Sequence, residues 1–159
     1  MKRIAAITMV RNDDFFLSKW VGYYGRQLGK ENLHVIFDGL DQKVPEFCDG
    51  VNVERVEHVK GNVHEADRGR IDLISQRAAR LFDRYDMVIG TDVDEFLVVD
   101  PLLGQTLAQF LSGVTTGLPS ISGLGVDVGQ KIGEEADIDA SRPFLSQRSY
   151  AKLSTRYSK

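Results

Sequence analysis

Apolar positions along the chain fall into two alternating rhythms. "RIAAITMV" (3–10) is an almost unbroken apolar run, the pattern of a strand buried on both faces. Phe16, Leu17, Trp20, Val21, Tyr24 and Leu28 then recur at three- and four-residue spacing, one face of a helix. Asn12, Asp13 or Asp14 supplies the cap at its start, and Gly29 stands where a left-handed residue ends a helix. "LHVIFDG" (33–39) reads as a second buried strand and "VNVERVE" (51–57) as a third. The polar stretch 58–70 predicts a loop, followed by a second helix with Ile71, Ile74, Ala78, Leu81 and Phe82 on one face. "MVIGTDVDEFLVV" (87–99) predicts a fourth strand, interrupted by Asp92, Asp94 and Glu95. "QTLAQFLSG" (105–113) makes a short third helix and "LPSISGLGVDV" (118–128) a further strand, after which the signal fades.

Apolar strands alternating with helices predict an α/β fold: a Rossmann-like α/β/α sandwich with a mostly parallel central sheet. No repeat, low-complexity tract or linker divides residues 1–159, so a single domain is expected. A chain of this length buries roughly 70% of its unfolded surface and needs no disulfide or metal to fold. The composition, 42% hydrophobic and 27% charged, is that of an ordinary soluble protein, and no run approaches the length of a membrane span. A net charge of −3 argues against nucleic acid as a partner. One cysteine, Cys48, allows no internal disulfide; together with the lack of a signal-peptide pattern, this predicts a cytoplasmic location.

Candidate chemistry gathers at strand ends, where open α/β sheets bind ligands. Arg11-Asn12 follow the first strand, Asp38-Gly39 the second, and Asp92, Asp94 and Glu95 lie after or within the fourth. On a regular strand Asp92 and Asp94 share a face, and two carboxylates there repel unless a cation lies between them. Hard oxygen ligands of this kind suit Mg²⁺ or Mn²⁺, which take one or two carboxylates plus substrate phosphates. The plain alternative is a solvated strand end before a turn at Asp100-Pro101.

"TMVRND" opening the chain, "VIFDG" closing the second strand and "DVDEF" after the fourth apolar run together resemble the family 2-type glycosyltransferases. The likeness is to the bacterial subgroup with an N-terminal "VRNE"-like turn and a "D-x-D-E-F" motif, and it covers residues 4 to about 100. It implies the GT-A fold, a nucleotide-sugar donor (a UDP-sugar being commonest), a glycan or other hydroxyl acceptor, and transfer with inversion. It also implies a donor-binding half at 1–100 and an acceptor half at 101–159. Carried over, Met9, Val10 and Arg11 would line the base and ribose pocket, and Asp38 would contact the nucleoside. Asp92 would face the ribose or a metal-bound water, Asp94 would bind Mn²⁺ or Mg²⁺ at the diphosphate, and Arg70 would reach a phosphate. Glu95 would orient the site without ligating.

The chain departs from the family at Asp13, where the motif has Glu, and in its length, which implies an incomplete, C-terminally truncated acceptor half. The general base an inverting transferase needs is unassigned; Asp127, Asp137 and Asp139 are available acids. A basic tail carrying Arg148, Lys152, Arg156 and Lys159 would approach the donor phosphates or form a solvated face. A sheet short of its last strands would expose an edge and self-associate as a homo-oligomer. Trp20, Tyr23 and Tyr24 read as packing residues, His34 as structural, and His58 and His64 as loop residues within reach of a substrate. Two other enzyme classes use strand-end acids. A haloacid dehalogenase-type phosphohydrolase is rejected, because its motif follows the first strand and wants Thr or Val where Phe96 stands. A nucleotidyltransferase on a similar sandwich also uses strand-end acids and a metal and stays an alternative, although the glycine-rich loop it usually has is absent from "VRNDDFF". Outside catalysis, the same fold would serve as a nucleotide-binding or assembly module without turnover.

Overall fold

A computed structural model describes residues 1–58, 60–115 and 117–154. Arg156 and Lys159 of the basic tail lie outside the described residues. The chain divides into two compact units, Met1–Val114 and Thr115–Lys159.

In the first unit the opening apolar run becomes strand β1 (Ile4–Val10), all seven residues buried. The chain then enters helix α1 (Asp14–Leu28), capped by Asp13, whose carboxylate accepts a 3.0 Å bond from the Phe16 amide. Gly29 follows at φ 88°, a conformation costly for any residue with a Cβ. Strands β2 (Leu33–Asp38) and β3 (Asn52–Val56) come next, then helix α2 (Val63–Leu81), strand β4 (Met87–Gly90) and helix α3 (Leu107–Gly113). The four strands form one parallel sheet in the order β3-β2-β1-β4.

Alternation along β1 feeds two cores, as the pleat requires. Ile4, Ala6 and Val10 join Leu33, Val35, Phe37 and Ile89 under Leu17, Trp20, Val21 and Tyr24 of α1 and Leu107 and Leu111 of α3. Ile7, Met9 and Ile36 form the second core, against Leu73, Ile74, Ala78 and Leu81 of α2. The expected α/β architecture with helices on both sides of a parallel sheet is therefore present in this unit. Edge strand β3 is tied to α2 by a forked ion pair in which the Arg77 Nε donates to Glu54 at 2.8 Å, holding the Glu54 carboxyl below its ordinary range. No helix among the described residues is long and apolar enough to cross a membrane.

Three features of α2 and β4 differ from the sequence reading. Helix α2 begins at Val63, within the predicted loop. Asn62 accepts from the Glu65 amide at 3.1 Å and the Glu65 carboxylate accepts from the Asn62 amide at 3.2 Å, a capping box that starts the helix while its first turns are still polar. Ile71 and Phe82 are 64% and 56% exposed, because the buried stripe centres on Ile74, Ala78 and Leu81 with Leu73 beside it. Strand β4 stops at Gly90, so the acids that follow lie outside the sheet.

The second unit holds strands β5 (Gly125–Gly129) and β6 (Tyr150–Ser154), paired antiparallel with Val126 opposite Leu153 and Asp127 opposite Lys152. The strand expected at 118–128 is thus shorter and later, and β6 falls where the sequence shows no apolar run.

Tyr24 reports on the first core. Burial pushes its phenol up to about 12, against the opposing pull of hydrogen bonds with the Leu97 main chain and Thr91. Between pH 10 and 12 the unfolded chain loses that proton while the folded chain keeps it, so its contribution is full below pH 10 and declines through the window. Urea titrations at pH 9 and pH 12 are expected to show wild type losing about 2–3 kcal/mol more than Tyr24→Phe across that interval. Equal losses in the two proteins would show that the phenol is not protected.

Candidate functional site

The carboxyl ends of the four parallel strands lie along one edge of the sheet, in the order Val56, Asp38, Val10 and Gly90. The chain leaves β1 towards β2 on one side and later adds β4 on the other. The crevice between β1 and β4 is therefore the switch point at which such sheets bind ligands.

Around the ends of β1 and β2 the polar residues bind one another. The Arg11 guanidinium donates to the Asp38 carbonyl and pairs with Asp41 at 3.5 Å. Gln42 donates to the same carbonyl at 2.9 Å, and its amide oxygen accepts from the Asn12 amide at 3.0 Å. Asn12 is held at φ 53°, the left-handed region that asparagine tolerates better than most residues. Gly39, at φ 138°, leaves room for the Arg11 guanidinium and the Asp41 carboxylate where a Cβ would stand. The Asp38 carboxylate is buried, 5% exposed, and its Oδ2 lies 3.0 Å from Nδ1 of His58, two residues beyond the end of β3.

Beyond β4 the acids form a turn. The Glu95 amide donates to the Asp92 carbonyl at 3.1 Å, and the Asp92 amide donates to the Glu95 carboxylate at 3.4 Å. The expectation that Asp92 and Asp94 share a strand face is corrected here: with the strand over at Gly90, Asp94 stands exposed near the crest of the turn and Asp92 at its half-buried start. Arg70, reaching across from α2, approaches Asp92 at 3.8 Å and Asp67 at 3.9 Å.

Helix α1 holds this turn from both sides. The Trp20 indole N–H donates to the Thr91 hydroxyl at 3.0 Å, just before the acids. After them, the Leu97 amide donates to the Tyr24 hydroxyl and the Tyr23 hydroxyl donates to the Leu97 carbonyl, both at 2.8 Å. Phe96 stacks on Tyr24 with the ring planes 5° apart, and Val93, Phe96, Leu97 and Val99 pack onto the first core. Trp20, Tyr23 and Tyr24, read from sequence as packing alone, thus also position the acidic turn. Their helical spacing hides that role, since a polar atom on an aromatic ring leaves no mark on periodicity.

The structure gathers the sequence-predicted residues into two groups. Arg11 and Asp38 meet at the β1–β2 end, and Arg70 and Asp92 meet at the β4 end with Asp94 beside them. Strand spacing puts β2 and β4 roughly 10 Å apart along the edge. Met9 and Val10, 1% and 3% exposed, point their side chains into the two cores, so only their main chain reaches the edge. Asp127 and Asp137 belong to the second unit, Asp127 opposite Lys152 on β5 and Asp137 accepting from Gln130 at 3.4 Å. Asp139 accepts from the Ser141 amide and hydroxyl at 2.9 and 2.6 Å. His58 and Gln42 complete the β2 end, and only the position of His58 just beyond a predicted strand points to it in the sequence.

Among the described residues no group of three or more His, Cys, Asp or Glu is placed to hold a metal. The turn therefore offers no closed cage. Its carboxylates fit a hard divalent ion only in the mode in which one or two acids hold the ion and a ligand's phosphates complete the shell.

The fit of Arg11 beneath Gly39 is testable by substitution. Gly39→Ala strains the backbone and displaces the guanidinium, and a loss of about 1–3 kcal/mol is expected in chemical denaturation. Combined with Arg11→Ala the two losses are expected to be less than additive, because the second change removes the group the new methyl strikes. Strict additivity would show that the two residues do not share this contact.

Comparison with protein-family models, with curated proteins and with solved structures returns no match, so the functional reading stands on the geometry of this edge.

Proposed function

We propose that the chain is a metal-dependent glycosyltransferase that binds a nucleotide-sugar donor along the carboxyl edge of its sheet and transfers the sugar to a hydroxyl of a glycan or other acceptor. The observation that carries this reading is the Asp92–Glu95 turn, seated just beyond β4 at the switch point and held on both sides by α1. Carboxylates fixed there in a parallel sheet suit a ligand bearing phosphate and a divalent ion. The ordered likeness of "TMVRND", "VIFDG" and "DVDEF" to family 2-type glycosyltransferases supports the same reading.

In this assignment Asp94 and Asp92 hold Mn²⁺ or Mg²⁺ at the donor diphosphate. Bound there, the ion supplies Lewis-acid stabilisation of the charge on the departing nucleoside diphosphate. Arg70 steadies Asp92 and adds positive charge on the phosphate side of the site. Trp20, Tyr23 and Tyr24 keep the turn from shifting as charge develops, which is how preorganised groups lower a barrier. At the other end of the edge, Arg11 and Gln42 fix the loop after β2 against which the nucleoside would lie.

Calorimetric titration with UDP and GDP, with and without Mn²⁺, tests this reading. Binding of at least one nucleotide is expected to tighten with the metal, and Asp94→Ala is expected to abolish that gain, a loss of at least about tenfold or 1.4 kcal/mol. Binding that ignores both the metal and Asp94 would remove the acidic turn from the site.

A further inference from the structure

A second polar recess lies away from the strand ends that carry the acidic turn. It is a cleft of about 310 Å³ between the C-terminal half of α2 and the opening residues of β2 and β3. Ile7, Ile36 and Leu81 give it an apolar floor. His34, Glu54, Arg77 and Arg80 supply its polar wall. Arg80 follows Arg70 by ten residues on the same helix, about 15 Å along the axis, so the cleft and the Arg70–Asp92 contact are separate places.

The charges around this cleft do not cancel. Glu54 is the one carboxylate among the described lining residues, and Arg77 already holds it through Nε and Nη2. Nη1 of Arg77 carries two further N–H groups that can donate outward. The exposed guanidinium of Arg80 makes no hydrogen bond or ion pair among the described residues, and acts on Glu54 only through space. Arg84, just past the helix, stands over the Tyr85 ring, which meets the His34 ring edge-on. Burial, and after it the charge of Arg84, holds His34 below its ordinary pKa, so positive charge reaches the cleft wall from that side too.

One atom of the wall is left over. Nε2 of His34 is closed off from solvent and has no hydrogen-bond partner among the described residues. Buried polar atoms are nearly always paired, and a ligand or an ordered water commonly completes the set. Cations near the end of a helix offset the negative end of its dipole, which accounts for Arg80 and Arg84 by themselves. It accounts for neither the cleft beside Arg80 nor the unpaired imidazole nitrogen.

We propose that this cleft binds a phosphate monoester, its phosphoryl group held by Arg80 and the free N–H groups of Arg77 and its carbon body resting on Ile7, Ile36 and Leu81. Guanidinium forks match phosphoryl oxygens in both spacing and charge. Two arginines against a single, occupied carboxylate suit a dianion better than the lone charge of a carboxylate ligand. The His34 ring can carry a hydrogen on Nε2 whether charged or neutral, so a phosphoryl oxygen is the kind of acceptor that nitrogen lacks. The site stands independently of the donor site proposed at the carboxyl edge.

Phenyl phosphate is the probe, titrated by calorimetry with EDTA present so that no metal-held site competes. Saturable one-to-one binding to wild type is expected, and Arg80→Gln is expected to weaken it at least about tenfold. That side chain is exposed and unbonded, so the variant keeps the fold. Inorganic phosphate presents the head without a body, and benzoate puts a single charge on the same ring. Each is expected to bind at least about fivefold more weakly than the probe.

Nitrogen NMR of the imidazole gives a readout on the unsubstituted protein. The His34 ring signals are expected to move with phenyl phosphate and to level off where the calorimetric signal saturates. Absence of binding, equal affinity in Arg80→Gln, or His34 signals that stay still through saturation would each overturn the proposal. So would inorganic phosphate or benzoate binding as tightly as the probe.

Discussion

Everything at the candidate site depends on the burial of β1 on both of its faces. Its seven residues are all enclosed, with β2 on one side and β4 on the other. A strand in that position cannot slip by one residue, because a slip would exchange the residues facing α1 for those facing α2 and mismatch both cores. The register it enforces, Val10 beside Phe37 and Ile7 beside Gly90, brings the ends of β1, β2 and β4 out along one edge. The site is thus a by-product of packing: chain ends that must turn away from a buried sheet are delivered to one place with their polar groups in order.

Packing also sets the shape of the acidic turn. Asp92, Asp94 and Glu95 carry like charge within four residues, and nothing in their own chemistry favours holding them close. The apolar residues interleaved with them supply the reason. Val93, Phe96, Leu97 and Val99 drop onto the core beside α1, and the hydroxyls of Tyr23 and Tyr24 bind the Leu97 carbonyl and amide. Burying aromatic side chains of this size contributes a few kcal/mol each, more than the repulsion between partly solvated carboxylates, so the core fixes the turn despite its charge. Arg70 reduces that repulsion from the other face of the sheet.

Much of this was legible in the sequence, for physical reasons that also explain the gaps. β1, β2 and α1 could be read because both signals they use, an unbroken apolar run and a three-to-four spacing, arise from burial, and these elements are the most buried. The start of helix α2 escapes hydrophobic periodicity because its first turns bury nothing; the Asn62–Glu65 capping box marks the true beginning, and the spacing of those two residues is the available signal. Ile71 shows the limit of periodicity, since a stripe wider than the contact it makes leaves its margin in solvent. β4 looks longer in the sequence than it is because Phe96, Leu97 and Val99 continue its apolar run while packing outside the sheet: hydrophobicity reports burial, not what a residue is buried against. The pairing of His58 with Asp38 joins residues twenty positions apart through the ends of two strands, and no local pattern encodes it.

The edge therefore has two ends of opposite character, and the difference follows from how each is built. At the β4 end the carboxylates stand in a turn outside the sheet, half-buried or exposed, where a hydrated ion can approach and exchange water. At the β2 end the Asp38 carboxylate is enclosed against the His58 ring, the loop is knitted together by Arg11, Gln42 and Asn12, and Asp41 stands exposed beside Arg11. The roughly 10 Å between β2 and β4 is a separation the sheet imposes through its strand spacing. Because that distance is set by backbone hydrogen bonding within a buried sheet, the two strand ends cannot drift together.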